Sequence, residues 1–383
     1  MTGSATEKLG HSRRLADSRR LVVKIGSVIL VDEETGTIRQ DWLDALADDV
    51  AARHKAGQEV LLVSSGAVAV GRHHLGITRR NLKLEESQAA AATGQGRLVH
   101  AYQEAMARHG LTTAQILLTL DDTEQRRRYL NARETLETLL GLGAVPLINE
   151  NDTVATEEIR FGDNDRLAAR VAQMVGADTL VLLSDVDGLY TADPLSDNSA
   201  VLVPEVREIT PEMEAMAGEA RHGDGTGGMV TKLMAARISI AAGCGMVIAH
   251  GKPLGALAAI DDGKGTSCTW FLPSSGPKTA HKRWIAGALN PAGTIIIDEG
   301  AAKALAKGGS LLPAGVVAVD GNFERGDTVL VRGSDGGEIG RGLICYSSED
   351  ARRIMGYKSD ETEAILGYRG REEMIHRDDL VVG

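Results

Sequence analysis

The stretch NENDTVATEEIRFGDND, residues 149–165, follows an apolar run at residues 144–148 and leads into a helical pattern that begins at Arg166. The short apolar run predicts a buried strand. Acids and amides cluster at both ends of the stretch, as NEND and as DND. Their oxygens accept hydrogen bonds from an ammonium group, and the Asn amides can also donate to a carboxylate. A free amino acid presents both groups, so the stretch is either an amino acid pocket or an acidic surface loop with helix caps.

Composition limits the classes of protein to consider. The chain has 383 residues, 43% of them hydrophobic, which predicts one large or two unequal domains. Its net charge of −11 argues against nucleic acid or an anionic membrane as the main partner. No apolar run reaches the roughly 18 residues that a membrane helix needs. Residues 1–18 lack the apolar segment of a secretory signal and are interpreted as a disordered leader.

The cysteines indicate a reducing compartment. Cys244, Cys268 and Cys345 are odd in number, far apart, and without the spacing of a zinc site. We expect reduced thiols in a cytoplasmic protein.

Two early strands lead into residues suited to an anion. A β-branched run at residues 21–23 places Lys24 at the end of a strand, in front of Gly26. A helix at residues 41–54 follows, and then a second strand at residues 60–63 leads into SSGA. Free N–H groups at the start of the next helix make an anion site there, although an ordinary N-cap has the same pattern.

Two later segments favour nucleotide binding. A strand at residues 180–183 ends in SDVDGLYTADP, a loop that can cap a helix, stack on a base or hold a ribose. The segment GDGTGGMVTK, residues 223–232, opens a helix that continues to about residue 242. Glycines let backbone N–H groups turn towards a phosphate, and the lysine adds a positive charge. The alternative is a flexible linker, and the Walker A pattern GxxxxGK[ST] is absent.

The order of elements predicts an α/β fold, with an open, mostly parallel sheet between layers of helices. Further strands are expected at residues 114–118 and 246–249, and a linker at residues 274–282. A small β-rich module follows, with a helix at residues 301–307 and strands at residues 294–297, 316–319, 328–331 and 343–346. This module has more acidic than basic residues, so it shows no basic stripe for RNA.

The motifs together resemble those of the glutamate 5-kinases, a group within the amino acid kinase family. The resemblance rests on VVKIGS, VSSGAVAVG, the whole of residues 149–165, LLSDVDGLYTADP and GTGGMVTK, in the family's order. The C-terminal module resembles a PUA domain through RWIAGALNPAGTIIIDEGAAKAL, SLLPAGV, GNFERGD, ILGY and HRDD. The resemblance implies a kinase domain at residues 19–273 and a PUA-like domain at residues 283–383. The chain departs from the family at Val28, where a hydroxyl residue is common, and at Ser184, where Thr is common.

The resemblance implies ATP-dependent phosphorylation of the side-chain carboxylate of L-glutamate to L-glutamyl 5-phosphate, with Mg²⁺, as the first step of proline biosynthesis. It implies catalytic roles for Lys24, Lys232 and Asp165. The residues expected to bind glutamate are Ser65, Gly66, Asn149, Asp152, Asp163 and Asn164. Those expected to bind ATP are Lys24, Ser184, Asp185, Thr226, Gly227, Gly228, Met229, Val230, Thr231 and Lys232. No protein ligands are assigned to the metal, which is expected on the ATP phosphates.

The resemblance also implies partners. These are L-glutamate, proline as a feedback inhibitor, a second copy of the chain in a homo-oligomer, and the glutamyl phosphate reductase of the next step. Neither RNA nor a membrane is expected. Three alternatives stay open: a related kinase acting on aspartate, acetylglutamate or uridylate, a regulatory protein that only binds the amino acid, and an RNA-binding protein.

Overall fold

The computed structural model describes residues 14–32, 34–79, 81–154, 164–218, 228–262, 267–286 and 291–382. The chain divides into two compact units. The first comprises Met1–Gln125 and Asn131–Pro277, and the second comprises Arg126–Leu130 and Lys278–Gly383.

An eight-stranded sheet forms the centre of the first unit. The strands of this unit are β1 (Arg20–Ile25), β2 (Glu59–Val63), β3 (Thr113–Leu118), β4 (Val145–Glu150), β5 (Thr179–Ser184), β6 (Leu189–Tyr190), β7 (Leu202–Val203), β8 (Glu205–Val206), β9 (Gly245–His250) and β10 (Cys268–Phe271). The order in the sheet is β3-β4-β2-β1-β5-β9-β10-β8, and β6 pairs with β7 in a separate ribbon. Every pair in the large sheet is parallel except β9 with β10.

The central strands are apolar because helices cover both faces of a parallel sheet. All six residues of β1 are buried, as are all six of β4 and of β5. The chain continues from β1 to β2 on one side, and later returns to β5 on the other side of β1. In open α/β sheets, ligands bind beyond the carboxyl ends of strands where the order reverses in this way. The end of β1 is therefore the expected centre of a site.

The helices of the first unit lie between these strands along the chain. They are α1 (Ser27–Leu30), α2 (Gln40–Lys55), α3 (Ala67–His74), α4 (Leu84–Ala107), α5 (Leu120–Glu124), α6 (Arg126–Gly141), α7 (Asn164–Val175), α8 (Pro211–Gly218), α9 (Met229–Ala241) and α10 (Ala256–Asp262). The first five residues of α6, Arg126–Leu130, are assigned to the second unit. Leu43, Leu46, Ala47 and Val50 of α2 are buried, so the apolar stripe read from the sequence faces the core.

Helices α3 and α4 touch through their backbones at two glycines. A Cβ added to Gly71 would lie 1.7 Å from the Ala90 carbonyl oxygen, and one added to Gly94 would lie 1.9 Å from that of Ala67. Real Cβ atoms cannot approach so closely, so any larger residue would separate the helices. This contact explains two glycines inside helices, where glycine is otherwise destabilising.

The second unit contains a five-stranded sheet in the order β12-β11-β13-β14-β15. Its strands are β11 (Gly293–Ile297), β12 (Val316–Gly321), β13 (Thr328–Gly333), β14 (Glu338–Leu343) and β15 (Leu380–Val382). Its helices are α11 (Pro277–Ala286), whose first residue belongs to the first unit, α12 (Glu299–Ala306), α13 (Ser348–Ile354) and α14 (Thr362–Leu366). Apolar side chains including Ile295, Val329 and Ile375 form its own core.

The predicted fold class is confirmed: a mostly parallel sheet flanked by helices, followed by a separate β-rich module. Three details of the prediction are wrong. The strand expected at residues 343–346 is instead Glu338–Leu343. Part of the segment interpreted as a linker is the helix α11. Residues 14–18 of the supposed leader are ordered, with Leu15 buried in a short 3₁₀ helix, while residues 1–13 lie outside the described part. None of the helices in the described ranges is long and apolar enough to span a membrane.

Candidate active site

Three charged side chains meet beyond the carboxyl end of β1, and we call them the ion cluster: Lys24, Asp165 and Lys232. The Nζ atom of Lys24 lies 2.6 Å from Asp165 Oδ1, and that of Lys232 lies 3.1 Å from Asp165 Oδ2. All three residues are buried. Lys24 belongs to β1, Asp165 to the first turn of α7, and Lys232 to the first turn of α9. Three separate elements of the fold therefore bring the predicted catalytic residues together.

Asp165 carries its negative charge although it is fully buried. Burial raises the pKa of Asp165, but the charges and hydrogen bonds of Lys24 and Lys232 lower it by more, so its pKa lies below the ordinary range. The cluster thus holds two ammonium groups against one carboxylate. Charges in such a poorly solvated region interact more strongly than they would in water.

Helix α9 contributes a second attraction for anions. A lysine is unfavourable near a helix N-terminus because that end of the helix dipole is positive. Asp165 offsets this repulsion through its contact with Lys232, and Thr231 Oγ1 also lies 3.4 Å from Asp165 Oδ2. The same Thr231 hydroxyl donates to the Gly228 carbonyl oxygen at 2.7 Å. The first turn of α9 is therefore held beside the ion cluster, and the N-terminus of a helix is suited to bind a phosphate.

Three amide side chains form a second group, which we call the amide cluster: Gln95, Asn149 and Asn164. Asn149 Nδ2 donates to Gln95 Oε1 at 2.5 Å. Asn164 Nδ2 donates to Asn149 Oδ1 at 2.8 Å and to the Ser64 carbonyl oxygen at 2.5 Å. The Glu150 N–H donates to Asn149 Oδ1 at 2.9 Å. The cluster links the ends of β2 and β4 to the first turn of α7 and to the middle of α4.

Ser65 and Gly66 connect β2 to α3. The Ser65 hydroxyl is buried and has no hydrogen-bond partner among the residues that the structure describes. Gly66 has φ +100°, and a Cβ there would lie 2.8 Å from Val31 Cγ2. The turn therefore requires glycine at this position. It leaves a buried hydroxyl available to a ligand.

Asp152 lies just after β4 and is half-buried. Burial raises the pKa of Asp152 to about 6. A ligand ammonium beside the carboxylate would favour its ionised form. The remaining predicted glutamate-binding acid, Asp163, lies outside the described residues.

The predicted nucleotide residues lie on two elements. Ser184 ends β5 and is buried, and its hydroxyl donates to Asp185 Oδ1 at 3.0 Å, while Asp185 is exposed. Strand β5 pairs with β1, so this end lies one strand away from Lys24. Gly228, Met229, Val230 and Thr231 lead into α9, with Gly228 and Val230 exposed. Thr226 and Gly227 lie outside the described residues.

The loop after β9 continues this end of the sheet. The Gly251 N–H donates to the Ser184 carbonyl oxygen at 2.8 Å, and Trp42 Nε1 donates to the Gly251 carbonyl oxygen at 2.7 Å. Trp42 thereby fixes the loop next to Ser184. The sequence analysis assigned no role to Trp42.

Sequence reasoning also missed Gln95. The segment TGQG around it, residues 93–96, is too short to indicate a glycine loop, and the sequence analysis does not predict α4. No local signal indicates Gln95, because the close contact of Gly94 with α3 appears only in the fold. That contact places Gln95 beside Asn149. Ser64, whose carbonyl oxygen accepts from Asn164, is held by a second hydrogen bond: its hydroxyl donates to the buried Tyr102 hydroxyl at 3.2 Å.

Comparison with known proteins identifies the family of the chain. The model of the amino acid kinase family matches residues 19–250, and that of the PUA domain matches residues 293–366. A protein of Paramagnetospirillum magneticum named glutamate 5-kinase is 65% identical, over 96% of this chain and 99% of the relative. A glutamate 5-kinase of Rhodospirillum rubrum is 59% identical, over 94% of this chain and 96% of the relative. The chain therefore belongs to the amino acid kinase family, in its glutamate 5-kinase group, with a C-terminal PUA domain.

Proposed function

We propose that the protein transfers a phosphoryl group from ATP to the side-chain carboxylate of L-glutamate, producing L-glutamyl 5-phosphate and ADP. This is the first step of proline synthesis from glutamate. The observation that carries the proposal is the ion cluster, with two buried lysines on one carboxylate. The name of the relatives, glutamate 5-kinase, supports the choice of acceptor.

The acceptor determines what the site must supply. A glutamate side chain has a pKa of about 4.3, so it is already ionised at neutral pH and needs no general base. The difficulty is that two anions must approach each other in line. Catalysis of phosphoryl transfer is then mainly positioning and neutralisation of charge. A site with two buried lysines held on one carboxylate is suited to this task.

Lys24 and Lys232 would contact the transferred phosphoryl group, one from each side. Their ammonium groups repel each other, so both can face one point only if an anion lies between them. Asp165 would be that anion, and it acts as a positioning residue because both of its oxygens already face the lysines. Its lowered pKa means that it does this throughout the neutral range.

Glutamate would bind beside the ion cluster. Asp152 would face its ammonium group, and the buried Ser65 hydroxyl and the turn at Gly66 would hold a carboxylate. Asn164 would offer its amide oxygen, and Asn149 would support it. Asp163 is kept in the proposal on the family resemblance alone.

ATP would bind at the ends of β5 and α9. Ser184 and Asp185 would contact the nucleoside, and residues 226–232 would surround the phosphates. Mg²⁺ would neutralise phosphate charge. The described residues contain no group of three or more His, Cys, Asp or Glu that could hold a metal ion. We propose that the ATP phosphates hold most of the metal's coordination, as is usual for Mg²⁺ bound with a nucleotide.

The proposal includes partners and location. We propose a homo-oligomer in the cytoplasm, inhibited by proline, which retains the α-carboxylate and ammonium that the glutamate pocket would bind. The product, an acyl phosphate, would pass to the glutamyl phosphate reductase. RNA and membranes are not proposed as partners.

A hydroxamate assay tests the activity. Hydroxylamine traps acyl phosphates, so the purified chain with ATP and Mg²⁺ should form hydroxamate with glutamate, and far less with aspartate or acetylglutamate. Equal rates with aspartate or acetylglutamate would point to a related kinase instead. Binding of glutamate without turnover would favour a regulatory protein.

A further inference from the structure

The amide cluster has a direction that two backbone groups determine. The Glu150 N–H can only donate, so the Asn149 atom that it contacts at 2.9 Å is the amide oxygen. The NH₂ group of Asn149 therefore faces Gln95, 2.5 Å away. Since that NH₂ group also can only donate, Gln95 must present its oxygen.

The same reasoning fixes Asn164 at the other end. The Ser64 carbonyl oxygen can only accept, so the Asn164 atom 2.5 Å from it is the NH₂ group. The second hydrogen of that group goes to Asn149 Oδ1 at 2.8 Å. Both hydrogens of Asn164 are thus used within the protein. Its Oδ1 remains, and no donor reaches this oxygen from the described part of the chain.

We infer that Gln95 is a positioning residue for glutamate recognition: by accepting from Asn149 it holds that side chain in the direction set by the two backbone groups, so that Asn164 presents an acceptor to the ammonium group of glutamate. The inference rests on the proposed function. Gln95 need not touch the substrate, because its effect reaches Asn164 through Asn149.

The helix contact at Gly71 and Gly94 explains why Gln95 can do this. Backbone atoms of α3 and α4 touch there, and Gln95 is the next residue after Gly94. Its side chain is half-buried and reaches the end of β4, where Asn149 lies. The same contact holds α3, which begins directly after Ser65 and Gly66. One packing contact therefore aligns the amide cluster with the turn after β2.

The test replaces Gln95 with residues that keep or lose the acceptor. In Gln95→Met the Asn149 NH₂ group loses its partner, and a lost hydrogen bond of this kind predicts a glutamate KM raised about tenfold. We expect kcat to change less than about threefold. Gln95→Ala should behave in the same way, which separates the effect from a packing fault caused by Met. Gln95→Glu should restore KM to within about threefold of the wild type, because its carboxylate still accepts from Asn149.

Gln103→Met is the matched control, since Gln103 is an exposed glutamine on the same helix. It should leave KM unchanged. A second readout uses glutarate, which is glutamate without its ammonium group, as a competitive inhibitor. Because the inferred contact involves that ammonium, Gln95→Met should change the inhibition constant of glutarate by less than about threefold. Thermal melting of each variant shows that it is folded.

Three results would overturn the inference: an unchanged glutamate KM in Gln95→Met, an equal loss of affinity for glutarate, or a Gln95→Glu variant as impaired as Gln95→Met. The last would mean that Gln95 donates to the substrate directly. A wild-type chain that forms no glutamyl hydroxamate would instead overturn the proposed function, so the two failures are distinguishable.

Discussion

Asn164 and Asp165 are adjacent in the sequence, yet they belong to two different clusters. Asn164 joins the amide cluster, which is neutral and in which each group must point in one direction. Asp165 joins the ion cluster, where charge matters more than direction. Successive residues of a helix point about 100° apart, so one turn of α7 can serve both. On the proposed function, the amide cluster would select the substrate and the ion cluster would neutralise charge on the transferred phosphoryl group.

The largest expected effect comes from removing the charge of the ion cluster. Asp165→Asn leaves Lys24 and Lys232 without the anion that lets both face one phosphoryl group. Loss of such a preorganised element typically lowers kcat by about 10²–10³. Steady-state kinetics with glutamate and ATP measure this, with Asp121→Asn, an exposed acid on α5, as the control. If Asp165→Asn changed only KM, the assignment of this cluster to catalysis would be wrong.

We expect the substitution of Asp152 to change mainly KM, whereas that of Asp165 changes mainly kcat. Asp152→Asn keeps the shape of the side chain but removes the charge proposed to face the ammonium of glutamate. That contact exists in both the ground state and the transition state, so the change should raise KM and leave kcat nearly constant. A hydrogen bond to a charged group predicts a rise of about 10- to 100-fold. An effect confined to kcat would contradict the proposed substrate role.

The pKa of Asp152 predicts a pH dependence. Burial raises this pKa to about 6, so the protonated form accumulates below pH 6 and the charge facing the ammonium is lost. Between pH 7 and pH 5 the ionised fraction falls about tenfold, and kcat/KM for glutamate should fall with it. The glutamate side chain stays mostly ionised over this range. Asp152→Asn should lack this decline, and a flat wild-type profile down to pH 5 would count against the assignment.

The smallest effect is expected from removing Lys278–Gly383, the C-terminal segment of the second unit. Every residue proposed for the site precedes Pro277. The cut belongs after Pro277 rather than earlier, because a Cβ at Gly243 would lie 2.6 Å from the Gly276 carbonyl carbon, which shows how closely that backbone packs on the first unit. We expect the truncated protein to keep kcat within about threefold. A folded fragment without activity would show that the site needs the second unit.

Much of the fold follows from local pattern. The strands β1, β2, β5 and β9 are short apolar runs that end in Gly, Ser or charged residues, and periodicity is sufficient to locate them. Strand β14, EIGRGL, was missed because its two glycines disfavour a strand. Their reason is tertiary: a Cβ at Gly340 would lie 2.1 Å from the Val381 carbonyl oxygen, and one at Gly342 would lie 2.6 Å from Ile375 Cγ2. A sequence does not reveal such close approaches.

The site residues also differ in how far the sequence predicts them. Lys24, Asp165 and Lys232 have motifs around them, so sequence analysis found all three. Gln95 is a polar residue on a long helix, and its role depends on a crossing between α3 and α4 that no local pattern indicates. A hydrogen-bonded cluster depends on tertiary geometry, and therefore its members are harder to predict than a lysine placed at the end of a strand.

The adjacent pair gives the most direct test of the division between the clusters. Glutamate binding to Asn164→Ala and to Asp165→Asn can be measured by titration calorimetry without turnover, beside the wild type. The account predicts that Asp165→Asn binds glutamate within about threefold of the wild-type Kd, while Asn164→Ala, which loses its amide contacts, binds about tenfold more weakly or worse. Equal losses of affinity in both variants, or a loss in Asp165→Asn alone, would contradict it.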